Sequence, residues 1–461
     1  MTTTAAAAAV AVPTDRRPAL AWGLSAFVWL LPLHALVITL LFGALGWPAT
    51  TVRALAAWKE ALIAVLFGLA VARTARAPRP GGGICWLDLV VAALGVVAFG
   101  YLLGANVWFG TGLPVTAELY GVRDTAFVSL LYFVGRASPE VAGHLRTLRV
   151  LFTVGVLTSA IAVVERIFVT PPLLVLLGAA RYVQDFLGAT AITVGNEYGL
   201  PDNYWTEIGG QLVQRAGSTY LSAQGYAIAS LVILPAATLW VLSASGHRAT
   251  VRWLGYAVVW TGLLLTVTRV TIVICALQTV VILAARRRWH ALVGMGFVGL
   301  AGLAVALLVV PGLADFVWRT LTWQTGSSVT HLSDWSTGLD NLIRQPLGSG
   351  LGSTDVVAAR FGVTPLAADN QYLRYAVEIG VVGLLLHLGV LGGALASGVR
   401  AWLAAPEAPT GQYGLLLAVV VCGIAANAVT AVVFNSVMLA YVFYWLAGSV
   451  TTAARSGAGA A

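Results

Sequence analysis

The chain has 461 residues, of which 59% are hydrophobic and only 10% charged, and its formal net charge is +8. So few charged residues cannot cover a soluble protein of this length, which excludes an ordinary globular domain. The same composition removes the nucleic-acid reading that a basic chain invites, and predicts an all-α polytopic membrane protein whose cations set its topology.

The N-terminal stretch "MTTTAAAAAVAVPTDRRPALAW" reads as a tail over residues 1–19 that ends close to Arg16 and Arg17. The apolar run behind it continues to about Gly46 without a small-residue cleavage site, so it is read as a retained span and not a signal peptide. Twelve spans are expected, near 20–46, 54–72, 84–103, 113–135, 147–169, 219–243, 253–268, 270–285, 290–311, 372–398, 413–430 and 432–450. The seventh and eighth share "LLLTVTRVTIVICALQTVVIL", which has only Thr268 and Arg269 at its centre. One unbroken helix there would be about 50 Å long at roughly 1.5 Å per residue, well beyond a hydrocarbon layer of roughly 30 Å.

Splitting the run at Arg269 also preserves the alternation of cations. Arg73, Arg76 and Arg79 then share one side with Arg136, Arg146, Arg149, Arg248, Arg252, the run Arg286, Arg287 and Arg288, and Arg400. Arg16, Arg17 and Arg455 on the tails fall on that side too, so both termini are expected in the cytoplasm. Residues 20–450 read as one membrane domain and 451–461 as a second cytoplasmic tail. Lys59 is the lone lysine. Cys85, Cys275 and Cys422 lie far apart in or beside apolar segments, with neither metal spacing nor a disulfide framework.

Two long loops, about 170–218 and 312–371, fall on the opposite side. Their aromatic and apolar content is too high for plain linkers. Within the second, "SVTHLSDWSTGLDNLIRQP" repeats Leu332, Trp335, Leu339, Leu342 and Ile343 at helical spacing, and Pro346 and following glycines stop it. This amphipathic helix is expected to lie on the outer membrane surface or to cap a cavity.

Charge inside a span is costly and points to function. Lys59 and Glu60, Arg123 and Asp124, Glu165 and Arg166, Arg269, Arg374 and Glu378 all fall in the outer half or at the outer rim, with Asp88 the exception. Such asymmetry describes a polar cavity that opens outward, whereas a transporter would carry such groups near the midplane of repeated halves. Neighbours on a helix do not face each other, so partners for the three adjacent pairs are expected from other helices, with a local ion match as the alternative. Arg215 and Arg269 have no acidic neighbour in sequence, which suggests an anionic ligand such as phosphate.

The stretch "PLGSGLGSTDVVAARFGVTPLAADNQYLRYAVEIGVVGLLLHL" joins a proline and a glycine-rich turn to an Asp-Asn-x-Tyr-Leu element at the mouth of a span. With "WKEALI", "GVRD", "QRAGSTYLSAQGYAIASL" and "TVTR" in that order, it resembles the O-antigen ligase and O-antigen polymerase superfamily over roughly residues 50–450. The resemblance implies a glycosyltransferase-C-like membrane fold and a metal-independent, cofactor-free enzyme of the bacterial inner membrane. Such an enzyme takes a glycan from undecaprenyl diphosphate on the extracytoplasmic face. It also implies dealings with membrane lipids, and with flippase and chain-length regulator proteins, rather than with nucleic acid. Arg215 and Arg269 match the diphosphate-holding arginines, with Lys59 and Arg123 as further candidates. Asn370, Tyr372, Arg374 and His331 are candidates for substrate contacts.

Where ligases have histidine before the asparagine, this chain has Asp369, so a polymerase acting on lipid-linked repeats is favoured over a ligase. His331 falls at the start of the amphipathic helix and not at that position. A sugar diphosphate already carries a good leaving group. Transfer therefore needs cations for the departing charge and one base for the acceptor hydroxyl, and a single carboxylate suits direct displacement with inversion. Asp369 is the expected base or hydroxyl-orienting group. Its position just before a helix also suits an N-cap. Arg374 and Glu378 are spaced to pair along that helix. Tyr182, Phe186, Tyr198, Tyr204 and Trp205 suit either sugar stacking or interfacial anchoring, and the "GSGLGS" glycines either phosphate contact or a turn. The alternative of another class is a polysaccharide or lipid transporter.

Overall fold

The computed structural model describes residues 19–76, 82–110, 112–188, 198–324, 326–366 and 369–458. The expected tail ahead of residue 19, and Arg79, lie outside the described residues. The fold is all-α and polytopic: every one of the twelve expected spans is helical. Among the described residues, nine helical segments are long and apolar enough to cross a membrane.

The other three expected spans depart from a single long apolar helix. The segment expected at 113–135 is two helices, Val115–Val122 and Val128–Arg136, joined through a π-helical turn at Arg123–Phe127. The long run around Arg269 does break: one helix ends at Leu265 and the next runs Arg269–Ala285, with Val267 between them at φ 50°. The final helix, Val437–Ala458, passes the expected end at residue 450, because Thr452 on its last turns is held by Arg136.

Ala223–Leu242, Pro409–Asn427 and Val437–Ser456 form the centre, with most of each apolar window buried. Trp289–Val309 is the opposite case: it is the most apolar of the nine and none of its window is buried, as for a helix that faces lipid on nearly all sides. Small residues let the central helices touch. A Cβ at Gly135 would sit 2.2 Å from the Trp445 carbonyl, and one at Gly448 would sit 2.0 Å from that of Tyr132. Such close backbone approach is how apolar helices associate where lipid is as apolar as they are.

At the end of the bundle that carries the arginine-rich connections, Asp88 finds its explanation. It accepts from the Cys85 N–H at 2.8 Å, which caps its own helix, and from Tyr132 and Arg136 at 2.7 and 2.8 Å.

The first long loop holds a feature absent from the expectation, an antiparallel hairpin of Trp205–Ile208 and Gln211–Gln214. Gly209 and Gly210 turn it, both at positive φ, the geometry of a tight two-residue hairpin. In the second long loop the amphipathic helix is present as Gly326–Arg344 and packs on the helix Gln371–Ala404.

Candidate active site

The helix Gln371–Ala404 begins with Asn370 as its N-cap: the Asn370 side chain accepts from the Tyr372 and Leu373 N–H groups at 2.8 and 3.1 Å. Its amide donates to the Val429 carbonyl at 2.8 Å. Asn370 is thus occupied in holding backbone, and so is Tyr372, whose hydroxyl donates to the Ala425 carbonyl at 2.7 Å. Capping by Asn370 leaves Asp369 out of that duty. Its side chain is 43% exposed, and Oδ2 lies 3.2 Å from Nδ1 of His331 on the amphipathic helix. Burial raises the nearby Asp334 carboxyl, helped by the charge of Asp369 and opposed by His331.

Nearly three turns further on, the helix kinks at Gly380, where φ is 72° and ψ is −167°. A Cβ there would lie 2.4 Å from the Pro346 carbonyl, so only glycine fits. The kink exposes carbonyls that the "GSGLGS" turn recovers: Ser349 and Gly350 donate to Val377 and Glu378 at 2.7 and 3.1 Å. The turn's N–H groups at these two residues serve the helix. Arg374 is buried and ties three segments, reaching Glu378 at 3.5 Å, Asp124 at 3.6 Å and Asn435 at 2.6 Å.

Asp369 lines a cavity of about 650 Å³ together with Lys59, Glu60 and Arg123. Here the local ion match, the stated alternative, is present beside pairing across elements. Lys59 meets its neighbour Glu60 at 3.0 Å, and Arg123 meets its neighbour Asp124 at 2.8 Å. The ban on adjacent contacts holds for uninterrupted α-helix. Lys59 instead follows the helix break at Ala57, and Arg123 opens the π-helical turn. Glu60 also bridges the two elements, at 3.9 Å from Arg123. The third adjacent pair does follow expectation: Glu165 ignores Arg166 and accepts from the Gly217 and Ser218 N–H groups at 3.2 and 2.5 Å, which pins the exit of the first long loop.

Two lining cations were not among the sequence candidates, Arg53 and Arg360. Arg360 lies inside the quoted Asp-Asn stretch, and an arginine without an adjacent acid in an outer loop was the signal available. Its guanidinium carbon is 5.0 Å from the Tyr120 ring centre and 5.5 Å from that of Phe186. Burial lowers its pKa, and the charges of Arg53 and Arg123 push the same way. Tyr182 and Phe186, two of the candidate stacking aromatics, line this cavity and stack on one another. Burial pushes the Tyr182 hydroxyl up to about 12. Tyr204 is buried instead and donates to the Leu221 carbonyl at 2.6 Å.

Arg215 and Arg269 do not line this cavity, against the expectation that they gather there with Asp369. They form a separate basic group at the helix break. Arg215 donates to the Thr266 carbonyl at 2.8 Å and to Thr268 Oγ1 at 2.7 Å, while Arg269 donates to Thr320 at 2.8 Å. Burial and the Arg269 charge push the Arg215 guanidinium down to about 10. The Val267 turn, at φ 50°, sets Arg269 at the start of its helix just after the Thr266 and Thr268 groups that Arg215 binds.

Residues 254–388 match the family described as O-antigen ligase. No curated protein matches the chain. The matched segment spans the broken helix pair around Arg269, the amphipathic helix with His331, Arg360, Asp369 and the kinked helix to His387. With the all-α membrane fold and the ordered motifs on either side of that segment, this match supports the chain's resemblance to the O-antigen ligase and polymerase superfamily.

Proposed function

We propose that the chain is a membrane glycosyltransferase that extends a surface polysaccharide, moving a glycan from undecaprenyl diphosphate to a lipid-linked repeat unit. The observation that carries this reading is the union, in one cavity, of the Asp369 carboxylate with Lys59, Arg53, Arg123 and Arg360. Cations lower the energy of charge that grows on a departing diphosphate, and a carboxylate in the same cavity receives or orients the acceptor proton. The acceptor oxygen bonds to the anomeric carbon as the carbon–oxygen bond to the diphosphate breaks. The electron pair leaves with the lipid diphosphate, and the proton passes to Asp369. The charge asymmetry of the sequence supports an extracytoplasmic opening. Purified protein incubated with a lipid-linked repeat unit tests this on a gel. A ladder is the expected product. A single shift that requires an added acceptor would make it a ligase, and no conversion under either condition would refute transfer.

A further inference from the structure

We infer that Arg53 and Arg360 are the guanidinium pair that grips the diphosphate, while Lys59 and Arg123 act as the fixed scaffold around it. This rests on the reading of the cavity as a transfer site, and it reassigns the work among its cations.

Charge pairing separates the two groups. Lys59 has Glu60 at 3.0 Å, and Arg123 has Asp124 at 2.8 Å and Glu60 at 3.9 Å. Asp369, the other acid on the cavity wall, faces His331. Among the described residues, neither Arg53 nor Arg360 has a carboxylate within salt-bridge distance. Both are held by aromatic faces instead. Guanidinium carbons and rings alternate: Arg123 lies 4.4 Å from the Tyr120 ring centre, Arg360 5.0 Å from Tyr120 and 5.5 Å from Phe186, and Arg53 5.6 Å from Phe186. A guanidinium packed on a ring is fixed in plane yet keeps its N–H edges for oxygen, so it is oriented without being neutralised.

The rungs come from separate places: Arg53 from Ala49–Ala56, Phe186 from the π-helical turn Tyr182–Phe186, and Arg360 from the end of Asp355–Arg360. Arg123 is matched by its acids, but Arg53 and Arg360, which share the Phe186 ring, leave a surplus that a ligand with two adjacent anionic groups would relieve. A pyrophosphate offers oxygens on both phosphorus atoms, one set for each fork. The same chemistry could reach the cavity as a free diphosphate or as a phospholipid headgroup, and we commit to the polyprenyl-linked diphosphate.

The test is equilibrium binding of the full-length protein in nanodiscs. Probes are undecaprenyl diphosphate, inorganic pyrophosphate and phosphatidylglycerol. Arg360→Gln and Arg53→Gln are each expected to weaken undecaprenyl diphosphate binding about 10- to 100-fold, the loss typical of one charged hydrogen-bonding group. Arg360→Lys, which keeps charge and stem, should fall between and serves if the Gln variant does not fold. Pyrophosphate should compete in the wild type and lose that ability in the variants. Wild-type affinity in Arg360→Lys and either Gln variant would overturn the inference, as would an equal loss for phosphatidylglycerol, which would make the ladder a general lipid-surface patch. Asp369→Asn separates the two levels. If it transfers at full rate while the arginine variants lose binding, the base assignment falls and the diphosphate pair stands. If it abolishes transfer while the arginine variants bind normally, the pair falls and the site stands.

Discussion

Replacing Asp369 by asparagine would remove the proposed base while leaving the architecture around it in place. The cap of the helix belongs to Asn370, so the substitution unwinds nothing. The Asp369 side chain is 43% exposed and its polar neighbour is His331 at 3.2 Å, a contact of the kind worth about 0–1 kcal/mol at a solvated position. The stability cost is therefore small. The cost to transfer is large, because a positioned general base contributes about 100- to 10,000-fold. At about 1.4 kcal/mol per tenfold, that is about 3–5 kcal/mol of transition-state stabilisation. The assay is single-turnover conversion of a labelled lipid-linked repeat, read beside undecaprenyl diphosphate binding and thermal stability of the same preparation. The expected pattern is a rate loss within that range with binding and melting temperature unchanged. Full activity would refute the reasoning, and so would a parallel loss of activity, binding and stability, which would reduce Asp369 to a structural residue.

His331→Leu removes the group beside Asp369 Oδ2, and is expected to lower kcat about tenfold with donor KM unchanged, a split measurable by initial rates. His331→Gln, which restores a donor, should recover part of that loss. Gly380→Ala forces a side chain into a conformation reserved for glycine and against the Pro346 carbonyl, so a destabilisation of at least about 1–3 kcal/mol is expected as a lowered melting temperature. Asp88→Ala leaves Arg136 without its carboxylate in a largely buried setting and removes the cap at Cys85, at a cost of about 3–5 kcal/mol, visible as loss of folded protein in detergent.

The spans were legible because lipid imposes a length on apolar runs, and the break at Arg269 because an unbroken helix would overshoot the bilayer. The amphipathic helix was legible from its period. The hairpin was missed although "WTEIGGQLVQ" carries its signal, a Gly-Gly pair between two polar-alternating runs. Asp369 and Asn370 are both good cap residues, and sequence cannot place a helix start to one residue. The neighbouring ion pairs at Lys59 and Arg123 were only the alternative reading because the spacing rule assumes regular helix, and both residues sit at interruptions. Arg53 and Arg360 owe their place to Tyr120 and Phe186, contacts made by folding and not by spacing. Arg215 and Arg269 are absent from the lining of the cavity that holds Asp369, and a list of outer-half charges carries no distances from which to foresee that.

The fixed pairs in the cavity bear on what kind of protein this is. Alternating access requires charged groups that exchange partners between two states, because a contact equally good in both shifts nothing. Lys59 and Arg123 each hold an acid from their own chain neighbour, and Arg374, buried, joins Asp124 to Glu378 and Asn435. Glu378 is further held by Thr354 at 2.5 Å. Breaking the Arg374–Glu378 contact, with both side chains buried, would strand a charge at a cost of several kcal/mol. The network therefore favours one rigid arrangement, which is a poor design for a rocking carrier. It suits a transferase, whose cations act on the departing diphosphate without reorganising at the moment of reaction.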